Sequence, residues 1–196
     1  MRKTVVFAAR LPDTYLYEPI YPPERQAEIE KCSNEKVKRE KYFVWKLLEY
    51  AIFNTIGEPI ENFNFEKNPN RKWVSDRVYF SLSHSDGVVA VALSDREVGV
   101  DIERIRPHRE GLEKHILTER ELSLIDTSDP WENIIRLWTQ KESIFKASDG
   151  KLFEPTRIET AEYSVKTEML EFDGEKFMLS VCAHDVDRTS FEIYRF

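Results

Sequence analysis

The chain has 196 residues, 41% hydrophobic and 33% charged, with six glycines and two cysteines. That length builds one domain or two small lobes around a real core without disulfide staples. A net charge of −7 argues against general nucleic-acid binding and against attraction to an anionic membrane surface, so an anionic ligand would have to meet a local cationic pocket. No apolar run reaches membrane-spanning length. Met1 to Leu11 has neither the long apolar stretch nor the small-residue cleavage site of a secretory signal. Cys32 and Cys182 have no metal-binding spacing, so a reduced, cytoplasmic protein is expected.

Thr4 to Leu11 reads as a strand, and Pro12 with Pro19, Pro22 and Pro23 marks the loop after it. A helix begins near Pro23, since proline fits the first helical turn. Ser33 is the expected N-cap of a long amphipathic helix carrying Val37, Phe43, Val44, Leu47, Leu48, Ala51 and Ile52 at helical spacing. Gly57 and Pro59 end it. The asparagine-rich stretch from Asn62 to Asn70 reads as loop. Three strands follow, Val78–Ser83, Val88–Leu93 and Glu97–Glu103, with Asp86-Gly87 as a hairpin turn and a short turn at Ser94–Arg96. Thr118 to Glu121 is a capping box. Asp129-Pro130 opens a further helix that runs to about Ser148 and stops at Asp149-Gly150. Strands are expected near Ile158–Val165, Met169–Phe172, Glu175–Ala183 and Phe191–Tyr194, with Asp173-Gly174 as a second hairpin turn. A long helix with strands thus occurs twice, which hints at two similar α+β lobes without any residue-level repeat.

Two segments carry chemistry. In Val98-Gly-Val-Asp-Ile-Glu103, alternation puts Val98, Val100 and Ile102 on one face and Gly99, Asp101 and Glu103 on the other. Two carboxylates roughly 6–7 Å apart at Cα can lean toward one ion. Taken alone, they are better read as the acidic outer face of a half-exposed strand, which is common. In the second segment, Trp131, Ile134, Ile135, Trp138 and Phe145 form an apolar stripe, and Glu142 falls on it. A carboxylate there needs a cation, a metal or strong donors. A plain i,i+4 pair with Lys146 is the alternative. His84 ends a strand beside hydroxyls and could donate to a phosphate. Lys36, Lys38, Arg39, Lys41 and Lys46 crowd the first long helix, with Arg71 and Lys72 after it, either as a solvated face or in part as phosphate clamps. Oxygen-only ligands suit magnesium or manganese, and no Cys/His cluster suggests zinc. There is no glycine-rich phosphate loop.

Phe80-Ser-Leu-Ser-His-Ser85, Val98–Glu103 and Leu137-Trp-Thr-Gln-Lys-Glu-Ser-Ile-Phe-Lys146 resemble, in order and spacing, the motifs of the 4′-phosphopantetheinyl transferases of the surfactin-synthetase-activating type. The resemblance implies an α+β fold of two similar lobes related by a pseudo-twofold, each a long helix on a small, mostly antiparallel sheet. The lobes are taken as residues 1–104 and 105–196, in a monomer. It implies Mg²⁺-dependent transfer of the phosphopantetheine arm of coenzyme A to a serine of an acyl or peptidyl carrier protein, with release of 3′,5′-ADP. Asp101, Glu103 and Glu142 match the family's metal ligands, and Glu142 also its proposed base. Lys146 matches the lysine that steadies the phosphates. His84, with Ser83 beside it, matches a contact to coenzyme A phosphate, and Lys141 adjoins Glu142. Arg71-Lys72-Trp73 stands where the family often has Gly-Lys-Pro, which makes Arg71 and Lys72 phosphate contacts. Lys46 or Lys41 would supply the cation on the first long helix. The competing readings are a metal-dependent nucleotide-diphosphate hydrolase and a non-catalytic module that binds coenzyme A or a carrier protein. Neither nucleic acid nor membrane is an expected partner.

Overall fold

The first long helix shows how local chemistry sets the elements. Asn34, one residue beyond the expected Ser33, caps it by accepting from the Val37 N–H at 3.1 Å. Asn and Ser are comparable caps, and here the side chain one residue later meets the orphan donor. Gly57 ends the helix in the left-handed region at φ 81°, its N–H returning to the Phe53 carbonyl at 2.8 Å.

The computed structural model describes residues 4–107, 111–125, 130–148 and 150–196. The expected cap at Asp129 and stop at Asp149 lie outside these. In chain order the elements are β1 (Val5–Arg10), α1 (Pro23–Glu30), α2 (Glu35–Ile56), β2 (Phe65–Lys67), β3 (Trp73–Ser75), β4 (Tyr79–Ser85), β5 (Val88–Ser94), β6 (Val98–Arg104), α3 (Glu113–Ile116), α4 (Glu119–Leu124), α5 (Pro130–Ser148), β7 (Val165–Phe172), β8 (Glu175–Ala183) and β9 (Ser190–Arg195). Both hairpin turns form as read: Asp86 and Gly87 have φ 45° and 79°, Asp173 and Gly174 φ 52° and 77°.

Three readings are corrected. The asparagine-rich loop contains a small antiparallel hairpin, β2–β3. Residues 158–164 are not a strand. Short 3₁₀ turns at Pro155–Arg157 and Thr160–Glu162 occupy that region, and the strand starts at Val165. On α5 the buried residues are Ile134, Ile135, Leu137, Thr139, Lys141, Ser143 and Ile144. Trp138 and Phe145 are half-buried around the Phe153 ring, and Glu142 lies on that border instead of in the core.

One sheet has the order β4-β5-β1-β9, with β9 parallel to β1 and the other pairs antiparallel. The second has the order β6-β8-β7, all antiparallel. The same topology occurs twice: a strand, a long helix, then a hairpin whose second strand pairs with the first strand. β1, α2, β4 and β5 form one set, and β6, α5, β7 and β8 the other. A cut after residue 104 would therefore separate β6 from its own sheet, and β9 returns to the first.

Alternation along β1 and β5 explains why both are buried on both faces. Val5, Phe7, Val89, Val91 and Leu93 pack under α2 with Trp45, Leu48 and Ile52. Val6, Ala8, Ala90 and Ala92 face Val100, Ile102, Leu179 and Val181 of the second sheet. The layers are helix α2, sheet, sheet, helix α5. No helix among the described residues is long and apolar enough to cross a membrane.

α5 reaches the second sheet through a single permissive position. A Cβ built on Gly99 would lie 1.9 Å from the Ser143 carbonyl oxygen and 2.6 Å from the Ala147 nitrogen. Glycine allows backbone to approach backbone there. Hydroxyls continue the seam: Thr139 to Ser180 at 2.8 Å, Ser180 to Thr167 at 2.9 Å, and Gln140 Nε2 to Thr167 at 3.0 Å. Gly99→Ala must displace α5 and should cost roughly 1–3 kcal/mol or more. Urea denaturation measures this, and an unchanged midpoint would contradict the close approach.

Candidate active site

The serines of β4 alternate onto the face that meets β6. The Oγ atoms of Ser81, Ser83 and Ser85 accept from the Val100, Ile102 and Arg104 N–H groups at 3.0, 3.3 and 3.4 Å. This ladder satisfies the edge of β6, which has no strand partner on that side among the described residues. Two of the same hydroxyls donate to the acids: Ser83 to Asp101 Oδ1 at 2.7 Å, and Ser85 to Glu103 Oε2 at 2.6 Å. Ser83 is buried and thus serves Asp101, instead of standing open to a ligand.

α5 brings the opposite wall. Lys146 Nζ lies 2.7 Å from Asp101 Oδ1, and donates to the Val100 carbonyl at 3.2 Å and to Ser83 Oγ at 3.3 Å. Lys72 Nζ, from the β2–β3 hairpin, donates to the Lys146 carbonyl at 2.7 Å near the end of α5. Asp101 Oδ2 is buried without a hydrogen-bond partner among the described residues. Burial raises the proton affinity of Glu142, Lys146 opposing and Asp101 reinforcing. Burial also pushes the Glu103 carboxyl up to about 7, against Ser85 and Lys146 and with help from Asp101 and Asp86. Asp101 thus repels both other acids, and these three side chains share one electrostatic neighbourhood. Among the described residues, however, no group of three or more His, Cys, Asp or Glu side chains is close enough to hold a metal ion. Lys146 supplies the cation that Asp101 contacts.

The remaining expected contacts divide. His84 stands on β4 with Nδ1 3.0 Å from Glu40 Oε2. Lys141 is a correction: it is fully buried, with Nζ 2.6 Å from Glu121 Oε2 and donating to the Pro155 carbonyl at 2.8 Å. A lysine adjoining a cleft residue on a helix points about 100° away from it, here into the protein. Glu121 also closes the α4 capping box by accepting from the Thr118 N–H at 3.0 Å, and accepts from Thr160 at 3.1 Å. Lys46 pairs with Glu49 at 2.6 Å and Glu18 at 3.8 Å, and does not join the cluster. Lys41 is half-buried, and its carbonyl accepts from Arg25 at 3.3 Å. Arg71 is exposed at φ 63° in the β2–β3 turn. Sequence reasoning missed Ser81 and Ser85 as supports for the acids, although the Ser-x-Ser-x-Ser alternation was their signal. It also missed Glu40, which stands among the cations of that helix and has no sequence signal of its own.

The 4′-phosphopantetheinyl transferase superfamily matches residues 97–193, from β6 to β9, and so includes Asp101, Glu103, Glu142 and Lys146. The chain is 31% identical over 136 residues to the 4′-phosphopantetheinyl transferase gsp of Aneurinibacillus migulanus, covering 67% of this chain and 57% of that protein. The chain belongs to the 4′-phosphopantetheinyl transferase superfamily. Similar superfamily proteins include the 4′-phosphopantetheinyl transferase AcpT of Escherichia coli K12, 32% identical over 111 residues, 54% of this chain and 56% of that protein. Another is psf-1 of Bacillus pumilus, 31% identical over 107 residues, 51% and 46% of the two chains. This member of the superfamily spans about half the length of these curated relatives.

Two outcomes test the geometry. Glu103 binds its proton more tightly in the folded protein than at its ordinary value of 4.5. Its contribution to stability is therefore full below about pH 4.5 and lost as pH rises through about 7. Glu103→Gln should flatten the fall in melting temperature between about pH 5 and pH 8, as followed by calorimetry. Lys141→Met strands the buried Glu121 charge and should cost about 3–5 kcal/mol in urea denaturation, far more than Lys41→Met on the half-buried helix face.

Proposed function

We propose that this protein transfers the 4′-phosphopantetheine arm of coenzyme A to a serine of an acyl or peptidyl carrier protein, releasing 3′,5′-ADP. In this reading it is an enzyme of the surfactin-synthetase-activating type. The observation that carries the proposal is the meeting of β6 and α5. Two acids held by the serines of β4 face a lysine and a third acid from the helix. The superfamily match over residues 97–193 supports it.

The donors suit a divalent cation by their chemistry, although among the described residues they are not drawn together around one point and Lys146 stands against Asp101. Asp101 Oδ2 is buried with no partner among the described residues, and Glu103 and Glu142 are desolvated carboxyls repelled by Asp101. All three offer oxygen, as Mg²⁺ or Mn²⁺ prefers. Bound there, the ion would neutralise the diphosphate and polarise the phosphorus under attack.

The chain's own residues do the rest. Glu142, with its raised proton affinity, takes the proton of the carrier serine as the hydroxyl adds to the β-phosphate. Lys146 steadies the phosphate oxygens and the departing 3′,5′-ADP. Ser83 and Ser85 hold Asp101 and Glu103 in place. Lys72 and Arg71 on the β2–β3 hairpin, and His84 on β4, extend the phosphate contacts. We take the repeated topology as two lobes related by a pseudo-twofold, with the division ahead of β6. The protein is a cytoplasmic monomer in this reading, which its two free cysteines support.

The test is mass gain by a panel of apo carrier proteins incubated with coenzyme A and Mg²⁺. Transfer is expected to vanish with chelator. Release of 3′,5′-ADP without a carrier would instead mark a hydrolase. Glu142→Gln should lower kcat by about 10²-fold or more with the melting temperature retained, and wild-type turnover would refute the base assignment.

A further inference from the structure

Glu40 is a buried acid that the reaction above leaves unused. It projects from α2, with its side chain only 5% exposed. Both oxygens are engaged: Oε1 accepts from the Gly87 N–H at 2.9 Å, and Oε2 lies 3.0 Å from His84 Nδ1. The neighbouring cations go elsewhere. Lys36 lies 2.5 Å and Arg106 3.2 Å from the Asp86 carboxylate, and Arg10 donates to the Asp86 carbonyl at 3.1 Å. Arg39 donates to the Pro12 carbonyl. Glu40 and Gly87 line a cleft of about 400 Å³ together with Arg10, Lys36 and Arg39. The β4–β5 turn thus presents its backbone to the same carboxylate that receives the histidine.

We infer that Glu40 is a positioning residue that fixes the His84 ring for a phosphate of coenzyme A. The inference rests on the transferase reading. A carboxylate only accepts, so the bonded Nδ1 carries a proton. Nε2 is then the ring nitrogen left for a ligand. A phosphate oxygen accepts as well, so a ring held between the two donates from both nitrogens. Burial opposes the Glu40 charge, yet His84 and the Gly87 N–H hold its carboxyl below the usual range. Glu40 is therefore ionised when the ring needs a counter-charge. Gly87 secures the carboxylate, the carboxylate secures the ring, and β4 sets the ring's distance from Ser83 and Ser85.

Glu40→Gln removes the charge with little change of shape. It should raise KM for coenzyme A about tenfold, the worth of one charge-assisted hydrogen bond, with kcat nearly unchanged. Glu40→Asp, which keeps the charge but shortens the reach, should fall between. The double variant Glu40→Gln/His84→Ala should be no worse than His84→Ala alone, because the two act as a unit. A merely structural Glu40 would instead give additive losses. Long-range ¹H–¹⁵N spectra of the imidazoles at one pH give a readout independent of activity: Glu40→Gln should move the His84 Nδ1 resonance and leave His115 and His184 in place. An unmoved His84 resonance, an unchanged KM, or additive losses would overturn the inference. Absence of transfer by the wild type across the whole carrier panel would overturn the transferase reading separately, and the spectra alone then decide the Glu40–His84 pair.

Discussion

The approach of α5 to β6 at Gly99 is the constraint on which the rest depends. At no other described glycine would a Cβ come within 2 Å of backbone. A side chain at position 99 would lift the helix, and with it Glu142 and Lys146, away from Asp101. The contact between Lys146 and Asp101 is 2.7 Å, and charge-assisted bonds of that length tolerate little displacement. A residue with no side chain thus sets the distance between the two walls of the site. The buried Lys141–Glu121 pair then sets the rotation of α5, since it ties one face of the helix to α4 and the loop at Pro155. Translation and rotation of the helix have different keepers, and neither touches the cleft.

The site gathers like charge where water is scarce. Three carboxyls share a neighbourhood with one lysine, and the serines of β4 donate two of the compensating hydrogen bonds. Desolvation and repulsion by Asp101 raise the proton affinity of Glu103 and Glu142, which destabilises the folded state at neutral pH; in the proposed reading the same environment serves a cation and a base. The cost is borne locally because both sheets already bury apolar cores on their shared faces.

Much of this was legible from residue patterns. Asp86-Gly87 and Asp173-Gly174 announced their hairpins because a primed turn needs positive φ at both positions. The placement of Asp101 and Glu103 on one face followed from alternation. Three things were not legible. The partner of β6 is β8, some eighty residues later in sequence, and strand pairing at that distance leaves no local signature. The fate of Lys141 depended on which face of α5 met the sheet. Thr139 and Ser143, which are polar, proved buried, while Trp138 and Phe145 stayed at the border, so hydrophobicity alone mis-set the helix phase. Glu40 lies between Arg39 and Lys41 in sequence, and nothing in that neighbourhood signals its burial. Only the folding back of the β4–β5 turn put a histidine and a backbone N–H against it.

The return of β9 to the first sheet has a consequence for how the molecule assembles. Val5 pairs in parallel with Ser190, and Arg10 with Arg195. β1 therefore waits for β9, far later in sequence, before its outer hydrogen bonds are made. The two topological sets cannot mature one after the other, and loop closure over nearly the whole described chain precedes completion of the first sheet. That seam ties β1 to β9, so loss of β9 would reopen an edge in the half that carries Glu40 and His84.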